Sequence, residues 1–204
     1  MKLRSIELPP RAPGLSRTMI LFHGYGADEH DLLSLAHELD PRLRAVSLAA
    51  PLSLGQGRAW TQLRQDLSFD PAQALEAARL ALEAVEEIAA GSPKPILLGF
   101  SQGAAVALSV ALAKPALVHS VLALSGVPPS LGAVTAEVAA ALRGLPAFVA
   151  HGTQDPLLPI ALGRKTAEDL RKLGLDVTFR EYAMGHNVSI EELGDARAWL
   201  VPRL

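Results

Sequence analysis

The sequence contains no cysteine, and this absence excludes several kinds of chemistry at once. Disulfide bonds, thiol nucleophiles and cysteine-ligated metal sites all need a residue type that the chain does not have. An excess of charge of one sign is also missing, because 19 basic and 21 acidic residues leave a formal net charge of −2. A nearly neutral chain gives no electrostatic basis for binding nucleic acid or an anionic membrane surface.

Long apolar runs are missing as well. No run approaches the roughly 18 residues that cross a bilayer, and residues 1–7 lack the apolar centre of a signal peptide. We therefore expect a cytoplasmic protein with no membrane span. Half of the 204 residues are apolar and 20% are charged, which is typical of a globular chain. This length suits a single domain over residues 1–204.

What the chain does contain is a regular alternation of strand-like and helix-like segments. Apolar runs predict an edge strand at 2–8 and further strands at 18–22, 43–50, 95–100, 118–124, 146–150 and 176–182. Helical spacing and end signals predict helices that begin near 28, 70, 102, 135, 160 and 189. This order predicts an α/β fold, with a mostly parallel, doubly wound sheet of about seven strands and helices on both faces.

Local signals refine two of these helices and one loop. Asp28 is the predicted cap of the first helix, whose apolar positions follow helical spacing as far as residue 39. Asp70 and Gln73 predict a cap and a capping box for the second. The predicted inward face of that second helix consists of Leu75, Ala78, Leu82, Val85 and Ile88. Residues 51–69 have no clear period and predict a long loop.

The stretch around Ser101 has a form that chemistry uses. It reads G-F-S-Q-G at 99–103, directly after a predicted strand and directly before an Ala-rich predicted helix. At such a corner the hydroxyl is pushed out of the sheet, and the helix N-terminus offers free N–H groups to a developing negative charge. We interpret Ser101 as a nucleophile on a strand-to-helix elbow. The alternative is an ordinary glycine-rich turn with a capping serine.

A serine nucleophile needs a general base, and the base needs an orienting acid. Of the six histidines, His186 is the candidate base, because it follows the last predicted strand and precedes the last predicted helix. Asp155, which follows the preceding strand, is the candidate acid, with a helix cap as its alternative role. His23 and His151 each precede a glycine at a strand end, and we interpret them as structural. The alternative is a metal site shared by His23 and His151. We assign no metal ligand, because no carboxylate pattern accompanies the two histidines.

Backbone groups complete the predicted site. The N–H of Gln102, next to the nucleophile, and the N–H of Tyr25, in the loop after the first parallel strand, are the expected oxyanion donors. Trp60 and Leu158 are the candidate substrate-binding residues, with a place in the core as the alternative for Trp60. The nucleophile, acid and base occur along the chain in the order that is known for α/β-hydrolases.

Five stretches in this chain occur together in one known family. They are FHGYGAD at 22–28, GFSQGA at 99–104, ALSG at 123–126, HGTQDP at 151–156 and MGH at 184–186. The chain resembles, over residues 17–200, the phospholipase/carboxylesterase family of small α/β-hydrolases, which includes bacterial carboxylesterases and acyl-protein thioesterases. The resemblance implies the α/β-hydrolase fold and a triad of Ser101, Asp155 and His186. It also implies hydrolysis of a small-molecule ester or thioester, no cofactor and, as in many members, a homodimer.

Two positions depart from the family pattern. Tyr25 stands where the family usually carries a short apolar residue, and residues 60–63 read W-T-Q-L where the family carries W-F-D-I. The segment 51–69 is too short to form a large lid domain. We therefore expect an open site that hydrolyses esters with short-to-medium acyl chains. The alternatives are an acyl thioesterase or lysophospholipase with the same triad, and a ligand-binding relative that has lost turnover.

Overall fold

The computed structural model describes residues 2–15, 17–64, 69–129 and 135–204. Its strands are Ser5–Leu8 (β1), Thr18–Phe22 (β2), Arg44–Leu48 (β3), Leu52–Ser53 (β4), Arg58–Ala59 (β5), Ile96–Phe100 (β6), Ser120–Leu124 (β7), Pro146–Gly152 (β8) and Asp176–Tyr182 (β9). Seven of them form one sheet in the order β1-β3-β2-β6-β7-β8-β9. Every neighbouring pair is parallel except β1 with β3, so the predicted mostly parallel sheet is confirmed.

Helices cover both faces of this sheet. They are Leu35–Leu39 (α1), Pro71–Ala89 (α2), Gln102–Ala113 (α3), Ala136–Leu142 (α4), Ile160–Lys172 (α5) and Ile190–Leu200 (α6). One apolar cluster joins one face of the sheet to α2 and α3, and a second joins the other face to α1 and α6. Strand β2 shows why two clusters form. Ile20 and Phe22 point into the first and Met19 and Leu21 into the second, because successive strand side chains alternate between faces.

The first helix is much shorter than its apolar spacing predicts. The side chain of Asp28 accepts a hydrogen bond from the His30 N–H at 2.9 Å, and residues 28–35 form successive turns closed by bonds to the third residue back. Only 35–39 is helical. Spacings of three and of 3.6 residues differ little over two turns, so the apolar pattern could not distinguish these structures.

The second helix is present as predicted, and most of its predicted inward face is confirmed, because Val85 is fully buried and Leu82 and Ile88 pack against the first apolar cluster. Asp70 caps α2 by accepting from the N–H groups of Ala72 and Gln73. The side chain of Gln73 instead accepts from the Gln62 N–H at 2.9 Å, so the predicted capping box is wrong. Leu75, predicted to face inward, is 49% exposed. The fully buried positions include Ala77 and Ala81, because small side chains allow α2 to lie close to the Ala-rich α3.

The segment 51–69 is partly structured rather than a simple loop. Strands β4 and β5 form a short antiparallel ribbon, and a bridge joins Leu63 to Phe69. The central part of the predicted loop, residues 65–68, lies outside the described residues. No lid domain covers the strand ends in the part of the chain that the structure describes. Within that same part, no helix has the length and apolar content needed to cross a bilayer.

Candidate active site

Ser101 occupies the sharp corner between β6 and α3. Its backbone has φ 55° and ψ −119°, a left-handed conformation that residues other than glycine rarely adopt. The corner is tight, because a Cβ added to Gly103 would lie 2.0 Å from the carbonyl oxygen of Phe22 on β2. The N–H of Ser101 donates to the carbonyl of Leu124 at 2.9 Å, which connects the corner to β7. Such strain at a single serine is typical of a nucleophile elbow.

Ser101, Asp155 and His186 lie together in the structure. Along the chain, His186 is 85 positions from Ser101 and 31 positions from Asp155. The Ser101 hydroxyl lies 2.9 Å from Nε2 of His186, and Nδ1 of His186 lies 2.6 Å from Oδ2 of Asp155. The ring of His186 also packs on Phe100, with the centroids 4.9 Å apart. These contacts fix a tautomer in which Nδ1–H donates to the carboxylate and Nε2 accepts from the hydroxyl.

The carboxylate of Asp155 is fully buried, yet hydrogen bonds keep it ionised. Its Oδ1 accepts from the N–H groups of Leu157 and Leu158 at 2.9 and 2.8 Å. Burial opposes the charge, but these bonds and the contact with His186 outweigh burial and hold the pKa of Asp155 below its ordinary value. An ionised carboxylate is what an orienting partner of an imidazole requires.

The two predicted oxyanion donors lie on either side of Ser101. Gln102 is the first residue of α3, so its N–H has no carbonyl of the same helix to bind. On the other side, a Cβ built on Gly24 would lie only 3.4 Å from the Cβ of Ser101, which places the 24–25 backbone directly against the nucleophile. The N–H of Tyr25 donates no hydrogen bond among the residues that the structure describes. Neither N–H group is therefore engaged by another described residue, and both belong to backbone that adjoins Ser101.

The side chain of Gln102 has a role that the sequence did not suggest. Its carbonyl oxygen accepts from the Trp60 N–H at 2.7 Å, and its amide donates to the carbonyl and the hydroxyl of Thr61 at 3.0 and 2.8 Å. These buried bonds join the start of α3 to the residues after β5. Trp60 itself is 1% exposed, and its indole N–H donates to the carbonyl of His23. Trp60 thus lies in the core beneath the site, which was the alternative to a place in the pocket.

The two strand-end histidines have structural partners. Nδ1 of His23 lies 2.8 Å from the Gly24 carbonyl, and its Nε2 accepts from the Ala50 N–H. Burial lowers the pKa of His23, so the ring is neutral and holds neighbouring strand ends together. Nε2 of His151 donates to the Leu158 carbonyl at 2.8 Å, which supports the turn that binds Asp155. No cluster with the composition of a metal site occurs in the described ranges.

A pocket of about 230 Å³ opens beside the Ser101 hydroxyl. Its apolar wall consists of Leu63, Phe69, Phe100, Val127, Leu157 and Leu158, so the predicted pocket position of Leu158 agrees with the structure. Tyr25 stands at the mouth with 43% of its surface exposed, and Asp31 also lines the pocket. The sequence did not identify Asp31 or Leu157 as pocket residues, because both lie in loops whose course no periodic pattern predicts.

The sequence model of the Phospholipase/Carboxylesterase family matches residues 9–201 of this chain. The chain belongs to the phospholipase/carboxylesterase family. Membership of this family indicates an ester or thioester hydrolase. It also agrees with the resemblance drawn from the five sequence stretches.

Individual relatives are similar over different parts of the chain. Acyl-protein thioesterase 1 of Eremothecium gossypii is 29% identical over 98% of this chain and 93% of its own length. Acyl-protein thioesterase 1 of Debaryomyces hansenii is 40% identical, but that match covers 50% of this chain and only 45% of the relative. The crystal structure of esterase PE8 superimposes with a TM-score of 0.86 at 27% identity and covers 100% of both chains. This family member therefore shares its complete fold with a solved esterase.

Proposed function

We propose that the protein hydrolyses carboxylic esters through an acyl-enzyme, with Ser101 as nucleophile, His186 as general base and Asp155 as orienting acid. The observation that carries the proposal is the continuous pair of hydrogen bonds from the serine hydroxyl to the imidazole and from the imidazole to the carboxylate, at 2.9 and 2.6 Å. Both distances lie within the range over which a positioned base takes up a proton.

In the first half-reaction, the Ser101 oxygen attacks the ester carbonyl carbon while its proton moves to Nε2 of His186. The buried carboxylate of Asp155 stabilises the imidazolium that forms. The tetrahedral intermediate then collapses, His186 gives the proton to the leaving alcohol, and the acyl group stays on Ser101. Water, activated by the same imidazole, releases the acid and restores the serine hydroxyl.

The negative oxygen of the intermediate is stabilised by the N–H groups of Gln102 and Tyr25. Donors of this kind are each worth a factor of about 10² to 10³ in rate, because they are held in place before charge develops. The Gln102 side chain binds residues 60–61, and the indole N–H of Trp60 donates to the carbonyl of His23, so the start of α3 is tied to the strand end that leads into the loop with Tyr25. Preorganisation of the two donors thus depends on a buried network rather than on the substrate.

The pocket favours short-to-medium acyl chains. Its volume is about 230 Å³. An apolar pocket of this size holds a chain of limited length. The apolar wall stabilises each buried methylene by about 0.8 kcal/mol until that space is used. Longer chains must extend into solvent and gain nothing from the wall.

A series of p-nitrophenyl esters from acetate to palmitate tests this proposal. We expect kcat/KM to rise from acetate to the C4–C8 esters and then to fall. A steady rise to palmitate would contradict the size limit while leaving the triad in place. Absence of turnover on every ester would contradict the esterase proposal as a whole and favour the ligand-binding alternative.

Thioester hydrolysis is a second candidate, and the acyl-protein thioesterase relatives favour it. The same serine, base and oxyanion donors serve both reactions, since both pass through a tetrahedral intermediate. Measuring kcat/KM for an oxygen ester and a thioester of identical acyl chain distinguishes them. We expect the oxygen ester to be hydrolysed at a rate comparable with, or above, that of the thioester, after correction for the reactivity of each leaving group.

A further inference from the structure

The pocket beside Ser101 contains one feature that ester hydrolysis does not require. Asp31 places a carboxylate in a wall that is otherwise mainly apolar. Among the described lining residues, Asp31 carries the only formal negative charge. An acidic group is not needed to hold a neutral acyl chain, and it costs free energy when a neutral ligand removes its water.

The charge of Asp31 has no partner among the residues that the structure describes. Its carboxylate makes neither an ion pair nor a hydrogen bond there. Basic side chains elsewhere on this side of the protein are already engaged. Arg58 donates to the carbonyls of Ala50 and Pro51, and Arg64 pairs with Asp70. The negative potential of Asp31 is therefore available to whatever enters the pocket.

The pKa of Asp31 reflects its partly enclosed place in the pocket wall. Loss of surrounding water raises the pKa of Asp31 above its ordinary value, an effect that the nearby His23 partly opposes. Asp31 is still an exposed residue, so its attraction for a cation is that of a largely solvated charge.

Aromatic rings stand around the same space. Tyr25, Phe69 and Phe100 all line the pocket together with Asp31. Aromatic faces attract cations through the negative centre of the ring, and quaternary ammonium groups in particular bind where several rings converge. A carboxylate together with three rings forms a favourable environment for an alkylated ammonium group, and an unfavourable one for an anion.

We propose that Asp31 and the surrounding rings make the pocket selective for esters of small organic cations, in which a quaternary ammonium or a protonated amine lies a few bonds from the scissile ester. The proposal rests on the proposed esterase function of Ser101 and adds the substrate class of that site. A neutral ester of the same shape fits the apolar wall equally well but gains nothing from the carboxylate. An anionic ester is repelled.

Two pairs of esters that differ only in one atom test this inference. The first is acetylcholine against 3,3-dimethylbutyl acetate, which carries carbon in place of the charged nitrogen of the alcohol. The second is methyl 4-(trimethylammonio)butyrate against methyl 5,5-dimethylhexanoate, which places the charge on the acyl side. For each pair the measured quantity is the ratio of kcat/KM for the cationic ester to kcat/KM for the neutral ester, in wild type and in Asp31→Asn.

We expect Asp31→Asn to lower this ratio about fivefold for at least one pair, which is the effect of one charge pair in a largely solvated setting. Intrinsic reactivities of the two esters cancel when variants are compared. High salt should lower the wild-type ratio and leave that of Asp31→Asn unchanged. Asp28→Asn is the matched control, because Asp28 is a neighbouring carboxylate that binds His30 and does not line the pocket. Because Asp28 acts on Asp31 only through space, the ratio should fall much less in Asp28→Asn than in Asp31→Asn.

Equal ratios in wild type and Asp31→Asn for both pairs would overturn the inference, as would an equal fall in Asp28→Asn. These outcomes differ from failure of the esterase itself. If the neutral esters are hydrolysed and only the ratios are unchanged, the charge preference is wrong and the nucleophile assignment stands. If no neutral ester is hydrolysed, both proposals fail together.

Discussion

Two parts of the candidate site are built in different ways. The catalytic edge, as we name the proposed triad of Ser101, Asp155 and His186, follows the carboxyl ends of strands β6, β8 and β9, with β7 lying between β6 and β8. The pocket wall, consisting of Tyr25, Asp31, Leu63, Phe69, Phe100, Val127, Leu157 and Leu158, comes mostly from connections between elements. The ends of the parallel strands therefore bring the three residues to one edge of the sheet, whereas the loops set the size and charge of the space that a substrate enters.

Burial follows the same division. The side chain of Asp155 is fully buried and that of His186 is 14% exposed, whereas Leu157 in the pocket wall is 62% exposed. Substitutions at the catalytic edge should remove turnover, and substitutions in the wall should change which substrate is preferred.

Replacing Ser101 by alanine should reduce kcat for p-nitrophenyl butyrate by on the order of 10⁶-fold, because no other group can form the acyl-enzyme. Steady-state turnover and far-UV circular dichroism of the purified variant provide the measurement. Ser109→Ala is the matched control, since its hydroxyl bonds to the Ala105 carbonyl on the same helix, away from the pocket. Substantial activity in Ser101→Ala would show that another residue is the nucleophile.

Asp155→Asn should lower kcat on the order of 10⁴-fold with little change in fold. The amide carries no charge to stabilise the imidazolium, and it favours the wrong tautomer of His186. Asp195→Asn is the comparison, because Asp195 accepts from the Tyr182 hydroxyl and does not touch the site. A loss of similar size in both variants would mean that general destabilisation, rather than the orientation of His186, explains the result.

Glu192 affects the stability of the fold near the catalytic edge, and we expect no direct part for it in turnover. It forms a capping box with Ser189 at the start of α6, three residues after His186. Burial raises its pKa to about 7, against 4.5 for an ordinary glutamic acid. The native state therefore binds one more proton than the unfolded state between these pH values. By linkage, the free energy of unfolding falls by about 3 kcal/mol as the pH rises through this window, and none of that loss occurs below it.

Glu192→Gln should remove this part of the pH dependence, because its side chain is neutral throughout. Denaturant unfolding at pH 5 and pH 8 measures the difference for each protein. Glu191→Gln, on the exposed side of the same helix turn, should behave as wild type does. If the free energy of unfolding changes between pH 5 and pH 8 by the same amount in Glu192→Gln as in wild type, the Glu192 carboxyl of wild type does not titrate between these pH values in the native state.

The smallest effect is expected in the pocket wall. Leu157→Ala should lower kcat/KM for p-nitrophenyl hexanoate by about fivefold relative to the acetate, since it removes apolar contact worth about 1 kcal/mol with the longer chain. Ile190→Ala, which changes a residue that is 92% exposed and outside the pocket, should leave this ratio unchanged. Equal losses for acetate and hexanoate would place Leu157 among the residues that support catalysis instead.

The same division explains what the sequence could predict. The strand runs and the glycines around Ser101 identify β6 and α3 with nearly correct bounds, because a buried parallel strand and a tight corner each demand particular residue types. Ser189 and Glu192 at the start of α6 have the spacing of a capping box, and they make both reciprocal bonds. Strong local chemistry therefore predicts the local structure at these positions.

Other features depended on contacts between distant residues. The length of α1 and the inward position of Leu75 on α2 were wrong, because alternative turns and an Ala-rich surface satisfy the same apolar pattern. In the site, the bonds from Gln102 to residues 60–61 join segments about forty positions apart. Asp31 gave no signal either, since only the course of its loop places it among the apolar residues of the pocket.

The central claim, that Ser101 is a nucleophile activated by His186, is tested most directly by mapping a covalent label. Wild-type protein is treated with a fluorophosphonate, digested and analysed by peptide mass spectrometry. We expect a single stoichiometric adduct on Ser101 in wild type, and much slower labelling of Ser101 in His186→Ala. Stoichiometric adducts on another serine, or equally fast labelling of Ser101 without His186, would contradict it.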